Sequence, residues 1–137
     1  SFDPFTRGHA AIVEESLKLF DKIIIGIGNN SQKRGLLTVE NRKRLIDDVY
    51  RDNERVEVHV YHGLTGEFAE QMGAVAIIRG VRNTTDFEYE RNLADVNRKI
   101  SGIETVILFT LPEHSYVSSS MVRELQHNNY DVADFIP

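Results

Sequence analysis

The chain has no cysteine in its 137 residues. It can therefore build neither a disulfide framework nor a thiolate zinc site, and no thiol nucleophile is available; a reducing cytoplasm suits such a sequence. Long apolar runs are also absent. The longest, Ile23-Ile24-Ile25 with its neighbours, falls far short of the roughly 20 residues of a membrane span. No basic segment followed by an apolar one opens the chain, so a cytoplasmic location without membrane contact is expected. Positive charge is in deficit, with 16 Lys+Arg against 21 Asp+Glu and a formal charge of −5. No sequence-independent field then draws the molecule to nucleic acid, and any phosphate binding must be local. There is no repeat, low-complexity tract or linker. No His-x-x-x-His offers a metal cage, and no Gly-x-Ser-x-Gly elbow presents a serine nucleophile.

What is present suits one folded domain spanning 1–137. Hydrophobic residues make up 41% and charged residues 27%, which excludes a disordered tail and a fibrous chain. Helical and strand patterns alternate. Gly8-His9 opens a helix with Ile12, Val13, Leu17 and Phe20 on its apolar face, and Lys22 to Gly28 reads as a strand buried on both faces. Thr38 caps a second helix with Leu45, Ile46, Val49 and Tyr50 inward, and Val56, Val58 and Val60 alternate at strand period. Thr65 to Met72 is helical with Gly73 as its stop, and Val75 to Ile78 forms a buried strand ending at Arg79-Gly80. Asp86 caps a long helix with Phe87, Leu93, Val96 and Ile100 inward, Glu104 to Thr110 is a strand, and Ser118 or Ser119 caps the last helix. This order predicts a doubly wound α/β fold with a parallel sheet. A strand is expected ahead of Ser1, because a βα loop otherwise has nothing to follow; its place would be the centre of the sheet.

Ligands of open parallel sheets bind outside the carboxyl ends of the strands, which sets Ser1 to His9 opposite Arg79 to Arg82. Gly8 and His9 at a helix start would face an anion; the alternative is a plain glycine-containing turn. Arg79-Gly80-Val81-Arg82 offers two guanidiniums and a close-approach glycine to phosphate oxygens, unless it is only a solvated basic loop. Lys33 has its loop position as its one argument. Ser118, Ser119 and Ser120 offer hydroxyls and N–H groups to a second phosphate, although capping explains one or two of them. Asp86, Glu88 and Glu90 read as an acidic first turn complementing the helix dipole. Gly26-Ile27-Gly28 fails as a dinucleotide fingerprint, since Ser31 stands at its sixth position and no helix follows. With no nucleophile in view, several cationic groups converging on helix N-termini fit a direct phosphoryl or nucleotidyl transfer between two positioned substrates.

Ser1-Phe2-Asp3-Pro4-x-Thr6-x-Gly8-His9, Ile78-Arg79-Gly80-x-Arg82, Asp86-Phe87-Glu88-Tyr89-Glu90, Asn97-Arg98 and Val117-Ser118-Ser119-Ser120, in that order and spacing, resemble the phosphopantetheine adenylyltransferase family. Thr-x-Gly-His alone marks the wider nucleotidyltransferase superfamily. The resemblance implies a Rossmann-like fold of the nucleotidyltransferase type and transfer of AMP from ATP, with Mg²⁺, to 4′-phosphopantetheine. The products are dephospho-coenzyme A and pyrophosphate. It implies that His9, Lys33 and Arg79 are catalytic: His9 acts at the α-phosphate, Lys33 bridges that centre and the acceptor phosphate, and Arg79 serves the acceptor side. ATP would lie against His9, Gly80, Arg82, Tyr89, Glu90 and Ser118 to Ser120. Phosphopantetheine would lie against Ser1, Lys33, Leu64, Thr65, Arg79 and Asn97. Ser1 replaces the commoner threonine, and Thr65 stands where many relatives are apolar. A homohexamer with coenzyme A as feedback ligand is implied too, as are a strand ending in Pro-Gly before Ser1 and a helix after Pro137. The alternatives are a related nucleotidyltransferase with another phosphate acceptor and a non-catalytic nucleotide-binding regulator.

Overall fold

A computed structural model describes residues 1–29 and 35–137. Its elements alternate as the periodicity requires: α1 (Arg7–Leu17), β1 (Ile23–Gly28), α2 (Val39–Val49), β2 (Val56–Tyr61), α3 (Thr65–Gln71), β3 (Ala76–Val81), α4 (Thr84–Ser101), β4 (Glu104–Phe109) and α5 (Ser119–His127). Strands pair parallel in two sets. β1 lies on β2 from Ile23↔Val56 to Gly28↔Tyr61, and β3 lies on β4 from Ala76↔Glu104 to Val81↔Phe109. Among the described residues β1 and β3 are not hydrogen-bonded to each other, yet α1 packs against both. The architecture is a Rossmann-type parallel α/β fold with an open sheet.

The core gathers beneath α1 and α2, where Phe5, Val13, Ile25, Ile27, Ile46, Val56 and Val58 form one buried cluster. Ile27 and Ile46 lose all contact with water, each worth about 1.5–3 kcal/mol of apolar transfer. Arg55 closes the C-terminal end of α1: its Nη2 donates to the carbonyls of Leu17 and Phe20 and its Nε to that of Asp21, at 2.6 to 2.8 Å. The Leu17 carbonyl is one that the helix end leaves without an intrahelical donor, and those of Phe20 and Asp21 belong to the turn that follows. No helix among the described residues is long and apolar enough to cross a membrane.

Several local expectations change. β3 runs on through Arg79 and Gly80 to Val81 and starts after Val75. Asn83, not Asp86, caps α4: its side chain accepts from the Asp86 N–H, while the Asp86 carboxylate turns back to Arg82. The inward face of α4 is also different, since Glu90 and Asn97 are buried whereas Phe87 and Val96 are 43% and 54% exposed. In α2 only Ile46 is buried, and Leu45 and Val49 face outward. A helix lying over two strands contacts them along one narrow line, so residues one position round from Ile46 miss the sheet. The caps Thr38 and Ser118 stand as expected, their hydroxyls accepting from the N–H groups of Asn41 and Met121.

Candidate active site

The loop from Ser1 to Thr6 carries the site and is fixed from several sides. Asp3 is buried, and its carboxylate accepts from the N–H groups of Leu36 at 2.6 Å and Leu37 at 2.8 Å. A Cβ on Gly35 would collide with that carboxylate, so position 35 has room only for glycine. The Ser119 hydroxyl donates to the Pro4 carbonyl at 2.8 Å, Arg123 Nη1 donates to the Asp3 carbonyl at 2.7 Å, and Arg42 Nη1 to the Ser1 carbonyl at 3.0 Å. The start of α5 is thereby tied to the loop that begins α1. The N-terminal ends of two helices therefore adjoin, and both present backbone N–H groups suited to an anion.

His9 occupies the third position of α1 and completes a capping box with Thr6. The Thr6 N–H donates to Nδ1 at 3.0 Å, and the His9 N–H reaches the Thr6 hydroxyl at 3.4 Å. A glutamate or glutamine normally closes such a box; here an imidazole does. Because Nδ1 accepts, the neutral ring carries its proton on Nε2, which has no partner among the described residues. Phe5 stacks on the ring at 5.4 Å and Phe2 meets it edge-on at 4.9 Å between centroids. Burial, then the charges of Arg79 and Arg82, lower the His9 pKa from 6.5 to about 4. At neutral pH the group is an uncharged N–H donor of fixed orientation.

Arg79 and Arg82 come from β3 and the residue after it, and α4 supplies an acid for each. Glu90 grips Arg79 as a fork, Nε to Oε2 at 2.7 Å and Nη2 to Oε1 at 2.9 Å. The Glu90 contact holds the guanidinium more firmly protonated, against the cost of burial. Asp86 takes Arg82 Nε at 2.9 Å. Burial works against the Asp86 charge, but the Arg82 hydrogen bonds outweigh it and lower its pKa. Gly80 lies between the arginines and lets Ile12 of α1 come within 3.0 Å of where a Cβ would sit. Tyr89, on α4, is 61% exposed.

A second group lines the edge toward α3. The Ser1 hydroxyl accepts from the Gly28 N–H at 3.1 Å, at the carboxyl end of β1. Tyr61 lies beside it, its hydroxyl 2.7 Å from that of Thr65 and its ring stacked on Phe68 at 4.4 Å. Leu64 precedes α3 and is exposed, and Gly66 sits against the Asn97 carbonyl and Ile100 of α4. Leu64, Thr65 and Asn97 thus share one corner. At the start of α5, Ser118 caps the helix, Ser119 holds Pro4, and Ser120 accepts from Arg123 Nη2 at 3.2 Å. Lys33 lies outside the described residues.

The structure therefore gathers His9, Arg79, Arg82 and Glu90 in one place and Ser1, Thr65 and Asn97 beside it. Sequence reasoning missed Thr6, Asp3, Tyr61 and Arg123. For Tyr61 a signal existed: Gly26 and Gly28 leave one face of β1 bare opposite His59 and Tyr61, and that vacancy admits the Tyr61 and Phe68 rings.

The cytidylyltransferase-like family model matches residues 1–125. A phosphopantetheine adenylyltransferase of Bacteroides thetaiotaomicron is 50% identical over 137 residues, 100% of this chain and 91% of that protein. Another, from Porphyromonas gingivalis, is 53% identical over 137 residues, 100% of this chain and 90% of its own length. A third, from Leuconostoc citreum, is 45% identical over 138 residues and is covered to 87% by a match that takes in 100% of this chain. With such identity over its whole length, the chain belongs to the phosphopantetheine adenylyltransferase family of cytidylyltransferase-like nucleotidyltransferases.

Proposed function

We propose that this protein transfers AMP from ATP to the phosphate of 4′-phosphopantetheine, forming dephospho-coenzyme A and pyrophosphate. An oxygen of the acceptor phosphate attacks the α-phosphorus in line. The bond from that phosphorus to the α–β bridging oxygen breaks, and its electron pair leaves with pyrophosphate. The attacking group is already an anion, so no base has to deprotonate it. Catalysis then rests on positioning and on donors aimed at charge that develops in the transition state. The observation that carries this reading is the His9 ring, held neutral by its surroundings and oriented by Thr6, beside Arg79 and Arg82. Its Nε2–H would meet an α-phosphate oxygen. Arg79 and Lys33 would serve the acceptor phosphate with Ser1, and Arg82 with Ser118 to Ser120 would serve the triphosphate. Gly80 and Tyr89 would lie by the adenosine, and Leu64, Thr65 and Asn97 along the pantetheine arm.

Among the described residues no three His, Cys, Asp or Glu side chains come together to hold a metal ion. Mg²⁺ would be held by the phosphates of ATP and by water. Such an ion would neutralise triphosphate charge, and the side chains named above would orient the two substrates. The proposal extends to a cytoplasmic homohexamer in which coenzyme A, sharing the pantetheine arm, competes with phosphopantetheine. Light scattering that gave a monomer at all concentrations, or coenzyme A bound without displacing phosphopantetheine, would remove those extensions.

The test of the activity is pyrophosphate release from ATP and Mg²⁺ with phosphopantetheine present and absent. Acceptor-dependent release is expected. Release with a different phosphate compound but not with phosphopantetheine would reassign the acceptor, and ATP binding with no release under any acceptor would leave a regulator.

A further inference from the structure

Phe2 has a φ of 56°, in the left-handed region, where a phenylalanine stays only if its surroundings hold it. Those holds can be named. Arg42 of α2 reaches across to the Ser1 carbonyl, its Nη1 donating at 3.0 Å, and so fixes the plane of the Ser1–Phe2 peptide. On the far side of Phe2, the Asp3 carboxylate accepts from the Leu36 and Leu37 N–H groups and the Asp3 carbonyl from Arg123. Two side chains depend on that backbone. The Ser1 hydroxyl is turned to the Gly28 N–H at the end of β1, and the Phe2 ring meets His9 edge-on at 4.9 Å.

Stability does not account for Arg42. It is the fourth residue of α2, where the helix dipole opposes a cation. Its Nε is buried without a hydrogen-bond partner among the described residues, an arrangement that costs free energy. The bond it does make spans 41 residues of chain and ends in the loop that carries the site.

We infer that Arg42 is a positioning residue: through the Ser1 carbonyl it sets the Ser1 hydroxyl for the acceptor phosphate and holds the Phe2 ring against His9. The part concerning Ser1 rests on the acceptor role proposed above for that residue, whereas the part concerning Phe2 stands on the fold alone. A guanidinium suits the task because it stays charged, and a charged donor binds a carbonyl more strongly than a neutral one does. Helix α2 is thereby tied to the loop that opens α1, as α5 is through Ser119 and Arg123.

Arg42→Met keeps the apolar stem of the side chain and removes every donor. The KM for phosphopantetheine should rise roughly 10-fold, the lower end of what a hydrogen bond to a charged group is worth. It should rise by no more than about twofold when Ser1 is already alanine, because a residue that acts through a partner has little left to lose once the partner is gone. In nuclear magnetic resonance spectra of the ligand-free protein, the His9 ring signals, displaced by the adjoining Phe2 ring, should shift in Arg42→Met. Arg42→Lys retains a cation able to donate to a single carbonyl; it should bring KM back to within about threefold of the parent and return those signals. Circular dichroism melting checks that Arg42→Met is folded, and if it is not, Arg42→Gln, too short to reach Ser1, takes its place in the same comparisons. A KM that rose as far with Ser1→Ala as without it would make Arg42 a direct phosphate ligand and overturn the inference. His9 signals left unmoved by loss of the arginine would overturn it too. If the parent protein released no pyrophosphate with phosphopantetheine, the functional reading would fail by itself, and the His9 signals would still decide whether Arg42 holds Phe2.

Discussion

Acidification should destabilise the protein through His9, and the size of the effect follows from its surroundings. The ring is packed between Phe2 and Phe5 and feels Arg79 and Arg82, so its pKa in the folded state is about 4 against 6.5 for the free side chain. Between those values the unfolded chain binds a proton that the folded one refuses. The contribution of His9 to stability is then complete above pH 6.5 and is lost as pH falls through 4. The full depression corresponds to at most ~3 kcal/mol, with ~2 kcal/mol gone by pH 5, and the part of the ring still in reach of water reduces both figures. Urea unfolding at pH 7.5 and pH 5 measures it when the parent is compared with His9→Gln. Glutamine can close the capping box but does not titrate, so subtracting the two removes the contribution of every other acid and histidine. The difference should shrink by 1–2 kcal/mol at pH 5. A difference that stayed constant, or imidazole resonances of His9 titrating near 6.5, would show that the ring is an ordinary solvated histidine. The uncharged donor required by the proposed chemistry would go with it.

In pyrophosphate-release assays, His9→Ala should lower kcat by roughly 10²–10³ while the calorimetric Kd for ATP changes far less, as befits a donor used in the transition state; an unchanged kcat would contradict this. Asp3→Asn keeps the volume but opposes an amide to the Leu36 or Leu37 N–H. A loss of ~2 kcal/mol in urea unfolding is expected, and under ~0.5 kcal/mol would mean the loop anchor is weak. Gly26→Ala places a methyl 2.7 Å from Phe68 Cε1. It should cost about 1–3 kcal/mol and disturb the Tyr61–Phe68 stack, which a lowered Tm and altered near-ultraviolet circular dichroism would register.

The elements themselves were legible because their signals are local. A hydroxyl at Thr38 or Ser118 followed by a helical period, and β-branched runs such as Ile23-Ile24-Ile25, need no distant partner to be read. Asp3 is the opposite case. Its partners lie 33 and 34 residues along the chain, and nothing around an Asp-Pro step announces that the carboxylate will be buried under another loop. Thr6 was visible as part of a motif, but its action on His9 was not, because the box is closed by an imidazole where a glutamate or glutamine is the usual residue.

Helix α4 is the most instructive failure. Apolar period predicts Phe87 and Val96 on its inner face, yet these turn outward while Glu90 and Asn97 are buried. The rule fails there because it assumes that a helix faces the core, and this face of α4 meets the arginines at the end of β3 and the first turn of α3 instead. Asp86, Glu90 and Asn97 recur at a spacing of four and seven residues, which is itself helical. A polar stripe at that period, following two arginines that end a buried strand, describes a helix whose inner side is a site. The strand supplies cations where ligands approach, and the helix must then supply the acids that hold them still. Arg79 and Glu90, 11 residues apart, are joined by that requirement.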